Sequence, residues 1–345
     1  MSPFILLTMM FTLVLGTLIT MTSTHWMLAW MGLEINTLAV IPLMIQQHHP
    51  RAVEATTKYF LVQATAAATL LFASTMNAWL TGIWEITQVM HPLPLTLITA
   101  ALALKLGLAP MHSWLPDVMQ GLTLNTGLIL ATWQKLAPLS LLIQINQSSL
   151  TASLGLISVI LGGWGGLNQT QLRKILAYSS IAHLGWMLLI MQFSPLLSQL
   201  NLLIYIIMTF SLFSVFILSK STNMNSLSTY WIKSPALTAL APLILLSLGG
   251  LPPLTGFLPK WLILQELTKQ GLGMVATLAA LSALLSLYFY LRLSYNMTFT
   301  LAPNTSTNIL SWRSNNKAPK MSTAVSTVMA LMMLPLLPLT TAVTL

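Results

Sequence analysis

The chain has 345 residues, 56% of them apolar and only 6% charged, with 14 lysines and arginines against 5 acids. Soluble domains carry roughly 25% charged residues, and apolar runs of about 20 residues recur here from end to end, so composition predicts an all-α polytopic membrane protein and not a barrel of alternating strands. The net charge of +9 does not indicate nucleic acid, since the cations stand singly between apolar spans, and the absence of cysteine excludes disulfides, thiolate metal sites and iron–sulfur ligation.

In chain order, hydropathy predicts about eleven spans, near 3–21, 26–46, 55–80, 93–116, 121–144, 149–168, 173–192, 196–219, 236–269, 272–296 and 321–341. The first stretch, MSPFILLTMMFTLVLG, has neither a positive n-region nor a small-residue cleavage site, so it is expected to be a span and not a signal peptide. Most connections are short, as suits consecutive antiparallel helices. The longest polar connection runs from Thr298 to Lys320 and includes Asn304, Ser306 and Asn308. It divides a core of residues 1–297 from a trailing helix within 298–345, and is expected to lie as an arm along the membrane surface.

The distribution of cations tests this count. Arg51, Lys58, Arg173, Lys174, Lys220, Lys233, Arg292, Arg313, Lys317 and Lys320 all fall at connections after even-numbered spans, and only Lys269 falls on the other side. A missed helix would scramble that asymmetry, which predicts an N-terminus on the positive side and a C-terminus across the membrane.

Two spans are interrupted. The fourth breaks at GLAPMHSWLP, after Lys105, and the ninth at LGGLPPLTGFLP, before Lys260. These positions correspond if the chain is two inverted five-helix repeats, near 1–146 and 147–297, with broken helices 4 and 9. Paired broken helices in inverted halves point to a transport site, because broken backbone at bilayer depth is tolerated only beside protein or a water-filled cavity.

Four ionisable side chains fall where the bilayer core is expected: Glu34, Lys105, Lys135 and Lys260. Unpaired, they would cost about 10–14 kcal/mol on insertion scales, so they must be paired, hydrated or neutral. One reading is a structural ion pair that orients helices. Yet buried pairs stabilise poorly, and one acid cannot neutralise three lysines. The other is a proton relay, in which opening and closing a pair moves proton affinities through the physiological range.

His112, inside the first break, and His183, four residues after Ser179 on one helical face, are further relay candidates; the alternative for each is a hydrogen-bonded structural histidine. His25, His48, His49 and His91 lie at span ends and read as solvated. Glu54, Glu85 and Glu266 lie near interfaces and read as solvated or loop-pairing groups, and Asp117 either caps the following segment or pairs with a lysine. The run from Gly162 to Gly166, GGWGG, suits close helix approach better than a nucleotide loop. No metal site is expected.

PMHSWLPDV at Pro110–Val118, RKILAYSSIAHLGWM at Arg173–Met187, GGLPPLTGFLPKW at Gly249–Trp261 and EINTLAVIP at Glu34–Pro42 together resemble the antiporter-like subunits of respiratory complex I, over nearly the whole chain. The resemblance implies two inverted five-helix bundles with a trailing helix. It also implies membership in a proton-pumping NADH:ubiquinone oxidoreductase of the mitochondrial inner membrane, with the N-terminus on the matrix side and the C-terminus in the intermembrane space. Glu34 and Lys105 would be the coupled pair, Lys135 the central relay lysine, and Lys260 the residue near the exit. FMN, iron–sulfur clusters and ubiquinone are expected on other subunits, with no cofactor in this chain; a structural phospholipid such as cardiolipin is compatible with it. The expected partners are other membrane-arm subunits, neighbouring antiporter-like ones among them, and membrane lipids. Two alternatives stay open: a non-pumping scaffold subunit, and a free-standing Mrp-type cation/proton antiporter subunit.

Overall fold

A computed structural model of the protein describes residues 3–46, 48–89, 91–145, 149–228, 235–298 and 321–336. Among these residues the structure is helical, with two isolated bridges (His25 to Glu85, Gln171 to Asn223) and no strands. Seven helices are long and apolar enough to cross a membrane, and four further apolar helices are shorter. Lys233, Asn304, Ser306, Asn308, Arg313, Lys317 and Lys320, and with them the expected surface arm, lie outside the described residues.

The chain forms two compact units, Met1–Gly155 and Leu156–Leu345. In the first, α1 (Pro3–Thr22), α2 (Trp26–Ile45), α3 (Pro50–Thr81), α4 (Pro92–Leu106), α5 (Trp114–Gly121) and α6 (Leu124–Gln144) pack around α2, α3 and α6. The α1–α2 contact depends on two small residues: a Cβ added at Gly16 would stand 2.9 Å from the Gly32 carbonyl oxygen, and one at Gly32 3.0 Å from that of Gly16. Small residues let helix backbones meet where hydrocarbon offers no hydrophobic drive to association. The opposite face of α1 exposes Phe4, Leu7 and Phe11, the surface a lipid-facing helix needs.

Past α7 (Ser149–Gly165), the second unit contains α8 (Leu172–Met191), α9 (Pro195–Ser219), the short α10 (Met224–Ser228), α11 (Pro235–Gly249), α12 (Phe257–Lys269), α13 (Gly273–Thr298) and α14 (Met321–Met332). Nearly every residue of α8 is buried, and α9, α12 and α13 pack against it. The glycine run at the end of α7 does permit close approach, since a Cβ at Gly162 would stand 2.7 Å from the Ala182 nitrogen in α8. The trailing helix α14 packs on α9 and α11, where the Thr255 hydroxyl donates to the Ala330 carbonyl.

Both interrupted spans break in the same way. At the end of α4 the Leu108 N–H donates to the Ala103 carbonyl (2.9 Å) and the Gly107 N–H to that of Leu104 (3.1 Å). At the end of α11 the Leu251 N–H donates to Leu246 (3.3 Å) and the Gly250 N–H to Ser247 (3.0 Å). This is the Schellman arrangement, which needs a left-handed residue just past the helix; Gly107 (φ 76°) and Gly250 (φ 81°) supply it. Each second half-helix then carries proline at its third position, Pro116 in α5 and Pro259 in α12. Those prolines read from sequence as interruptions, yet they sit in first turns, where no N–H is needed, so the helices start there and α5 runs on to Gly121.

Candidate functional site

Glu34, Lys105 and Lys135 sit on three helices of the first unit, and two of them meet at one cavity. The Gly107 turn ends α4 just past Lys105, placing its 6% exposed side chain in the last turn of a helix whose carbonyl end favours a cation. The turn is braced from outside: Trp114 Nε1 donates to the Leu104 carbonyl (3.2 Å) and Gln63 Nε2 to the carbonyl of Lys105 itself (3.3 Å). Lys135 is 3% exposed in α6, three residues before Pro138. Proline there removes the N–H that would have met the Gln134 carbonyl.

Lys105, Lys135, Asn36, Tyr59, Gln63 and Gln134 border a cavity with about 20 Å³ of room for water centres. A polar site needs some 10–15 Å³ of such room for one water with two to four partners, so this one suits about a single molecule. The Lys105 ammonium is buried without a hydrogen-bond partner, as is Glu34 Oε2, and no ion pair within 4.0 Å joins them. Glu34 nonetheless stands within electrostatic range of both Lys105 and Tyr59.

The amides around the cavity are linked. Tyr59 donates to Gln134 Oε1 at 3.5 Å, and Gln134 Nε2 to Asn36 Oδ1 at 3.4 Å. A search confined to ionisable residues passes over these groups. The signal for them was an amide in mid-span next to a charge: Asn36 two residues after Glu34, and Gln134 immediately before Lys135.

The other candidates are not among the residues that line this cavity. His112 is partly exposed in the first break, its Nδ1 3.3 Å from the Pro110 carbonyl oxygen. Asp117 pairs with Lys58 at 3.7 Å, and Lys58 also pairs with Glu54 one turn before it at 2.8 Å. Of the two readings of Asp117, the lysine partner therefore holds. Glu266 likewise pairs with Lys269 at 3.8 Å. His25 and His49 have a further job as helix N-caps, their Nδ1 atoms accepting from the Met27 and Arg51 N–H groups.

In the second unit His183 is 5% exposed on α8, its ring centroid 5.4 Å from that of Tyr205 on α9. Ser179, on the same face, donates to the Leu176 carbonyl. Lys260 extends from the first turn of α12 back across the break and donates to the Gly249 carbonyl at 2.7 Å. No group of three or more His, Asp or Glu side chains that could hold a metal occurs among the described residues.

Comparison with known proteins accords with this architecture. The family model described as NADH:quinone oxidoreductase/Mrp antiporter, TM matches residues 23–286, and that of the NADH dehydrogenase subunit 2 C-terminus matches residues 287–341. NADH-ubiquinone oxidoreductase chain 2 of Tetraodon nigroviridis is 67% identical over 340 residues, covering 98% of each chain. A chain in respiratory complex I from Thermus thermophilus, solved with aureothin bound, superposes with a TM-score of 0.87 at 28% identity, over 100% of this chain and 80% of that one. A chain of the Mrp complex from Dietzia shares the fold, with a TM-score of 0.78 at 17% identity over 97% of this chain and 73% of that one. With both family models matched in succession and a relative this similar along its whole length, the chain belongs to the NADH-ubiquinone oxidoreductase chain 2 family, a membrane subunit of NADH:quinone oxidoreductase.

Proposed function

We propose that this subunit carries protons through the membrane arm of the assembled oxidoreductase, and that Glu34, Lys105 and Lys135 form the relay of its first unit. The observation that supports this is the cavity shared by Lys105 and Lys135, together with a Lys105 ammonium and a Glu34 carboxylate oxygen that are buried and lack hydrogen-bond partners. A structural ion pair would be closed and hydrogen-bonded, because an open one keeps the full desolvation cost. An open pair whose lysine borders room for one water suits a group that gains and loses a proton.

Charge rearrangement elsewhere in the arm changes the Glu34–Lys105 interaction, and this alters the field at Lys135 across the cavity. The energy scale fits. Two unit charges about 8 Å apart at an effective dielectric near 20 interact by about 2 kcal/mol. Moving one charge against 100 mV requires about 2.3 kcal/mol. Asn36, Tyr59 and Gln134 orient the water that bridges the lysines. His112, His183 and Lys260 do not line this cavity and are further candidates, each requiring its own test.

The same reading takes the apolar helices as eleven spans, each broken helix counting once, in two inverted halves with α14 trailing. It places the chain in the mitochondrial inner membrane, the N-terminus on the matrix side by the asymmetry of its cations. Its partners are the other membrane-arm subunits of complex I, and FMN, the iron–sulfur clusters and the quinone belong to other subunits of the assembly.

The test is proton translocation per NADH oxidised in proteoliposomes holding the assembled enzyme, wild type against Lys135→Met. Loss of pumping with assembly intact is the expected result. Full pumping would leave the subunit a scaffold, a reading that the structural bond from Lys260 to Gly249 favours for the second unit taken alone.

A further inference from the structure

Three helix ends of the second unit meet at a polar cavity that the relay does not use. The Leu172 N–H donates to the Thr222 carbonyl, and Gln171 bridges Asn223, so the start of α8 is tied to the segment that follows α9. Helix α10 packs on α13, whose last turns carry Arg292 and Asn296. Between them lies a cavity of about 520 Å³, lined by Thr170, Gln171, Asn223, Asn225, Arg292 and Asn296 together with Met224.

Its chemistry is one-sided. Arg292 Nη2 donates to the Gln169 carbonyl, while its Nε is buried with no partner. The other polar lining residues are amides and a hydroxyl, all able to donate. Arg173 and Lys174 lie in the first turn of α8, and Lys220 lies two residues before Thr222, so cations collect at this end. Among the described residues no ion pair engages Arg292. Glu266 is the single acid in the sequence after Leu156, and it is engaged by Lys269 and by Gln270 Nε2 at 3.1 Å. It also lies beside the α12–α13 turn, and Arg292 stands roughly 28 Å along α13 from that turn at 1.5 Å per residue.

We infer that this cavity binds a phosphate group, held by Arg292 and the surrounding amides, from either an anionic phospholipid headgroup or free phosphate. A guanidinium anchored to backbone through one nitrogen and lining the cavity offers donors in the planar arrangement that suits phosphate oxygens. The amides meet the remaining oxygens. The N-terminus of the 20-residue α8, whose Gln171 cap makes no side-chain hydrogen bond, adds a favourable field. The cavity lies where apolar helices end, which is also where headgroup phosphates stand.

The experiment compares density maps of the assembled complex in three preparations: lipid nanodiscs in phosphate-free buffer, delipidated detergent in phosphate buffer, and delipidated detergent in chloride buffer. Tetrahedral density against Arg292 that continues into acyl chains in nanodiscs identifies a phospholipid. Density confined to the phosphate buffer identifies free phosphate. Either density is expected to vanish in Arg292→Gln and to weaken in Asn223→Ala, a variant that leaves the Arg292–Gln169 bond in place; Arg292→Lys should retain part of it. Water alone, or a neighbouring subunit's carboxylate against Arg292 in all three preparations, overturns the inference.

Discussion

The Lys260 ammonium donates to the carbonyl of Gly249, the last residue of α11, at 2.7 Å across the break that separates α11 from α12. The last carbonyls of a helix have no intrahelical donor. The Schellman turn serves Leu246 and Ser247, and Lys260 serves Gly249. Replacing it by methionine of similar length leaves that carbonyl without its donor, at a cost of about 1–3 kcal/mol. Lys260→Met should therefore lower the thermal midpoint of the isolated complex, and Lys260→Arg should restore much of it. A methionine variant with an unchanged midpoint would show that the bond contributes nothing to stability.

Gly250 is needed twice over at this turn. Its φ of 81° costs a side-chain-bearing residue about 1–2 kcal/mol, and a Cβ there would lie 2.8 Å from Lys260 Cδ. Its neighbour Gly249 is under neither constraint, with the nearest atom to an added Cβ at 3.5 Å. Gly250→Ala should thus reduce the amount of assembled complex on native gels, and Gly249→Ala should leave it near wild type. Equal impairment of the two would contradict this account of the turn.

Much of this fold is legible in the sequence because a membrane restricts the choices to apolar helices, and because proline and glycine mark where they break. The two interruptions were visible as Gly-Leu-Ala-Pro and Gly-Gly-Leu-Pro-Pro. Their common geometry was not. Lys105 precedes its break and Lys260 follows its own, an apparent mismatch. In space each lysine belongs to the carbonyl end of the first half-helix, Lys105 within its last turn and Lys260 by reaching back to it. Side-chain length and a reversal of chain direction produce that equivalence, and residue spacing does not encode either one openly. For the same reason Asp117 could be read as cap or partner, until the packing of α5 on α3 placed Lys58 beside it.

That Asp117–Lys58 pair is expected to matter little, although it adjoins the broken helix. Its side chains are 53% and 45% exposed and stand 3.7 Å apart. Exposed pairs contribute about 0–1 kcal/mol, and Lys58 keeps Glu54 as a second partner. Asp117→Asn should leave assembly and protons pumped per NADH close to wild type at moderate salt. A large loss of pumping would move Asp117 into the conduction path and require the relay to be redrawn.

Lys105 offers the sharper separation between conduction and architecture. Removing one member of a closed buried ion pair strands the other charge and costs about 3–5 kcal/mol. Here the Lys105 ammonium has no hydrogen-bond partner and no carboxylate within 4.0 Å, so it contributes little such attraction to lose. Lys105→Met keeps the side-chain length and removes a buried charge that makes no hydrogen bond and no close ion pair, which should leave the thermal midpoint unchanged or slightly raised while pumping and NADH turnover both fall. This pattern is opposite to the one expected of Lys260→Met, where stability suffers first. If Lys105→Met instead destabilises the complex and leaves protons per NADH intact, the lysine is a helix-orienting partner of Glu34, and the relay in the first unit has to run through Lys135 without it.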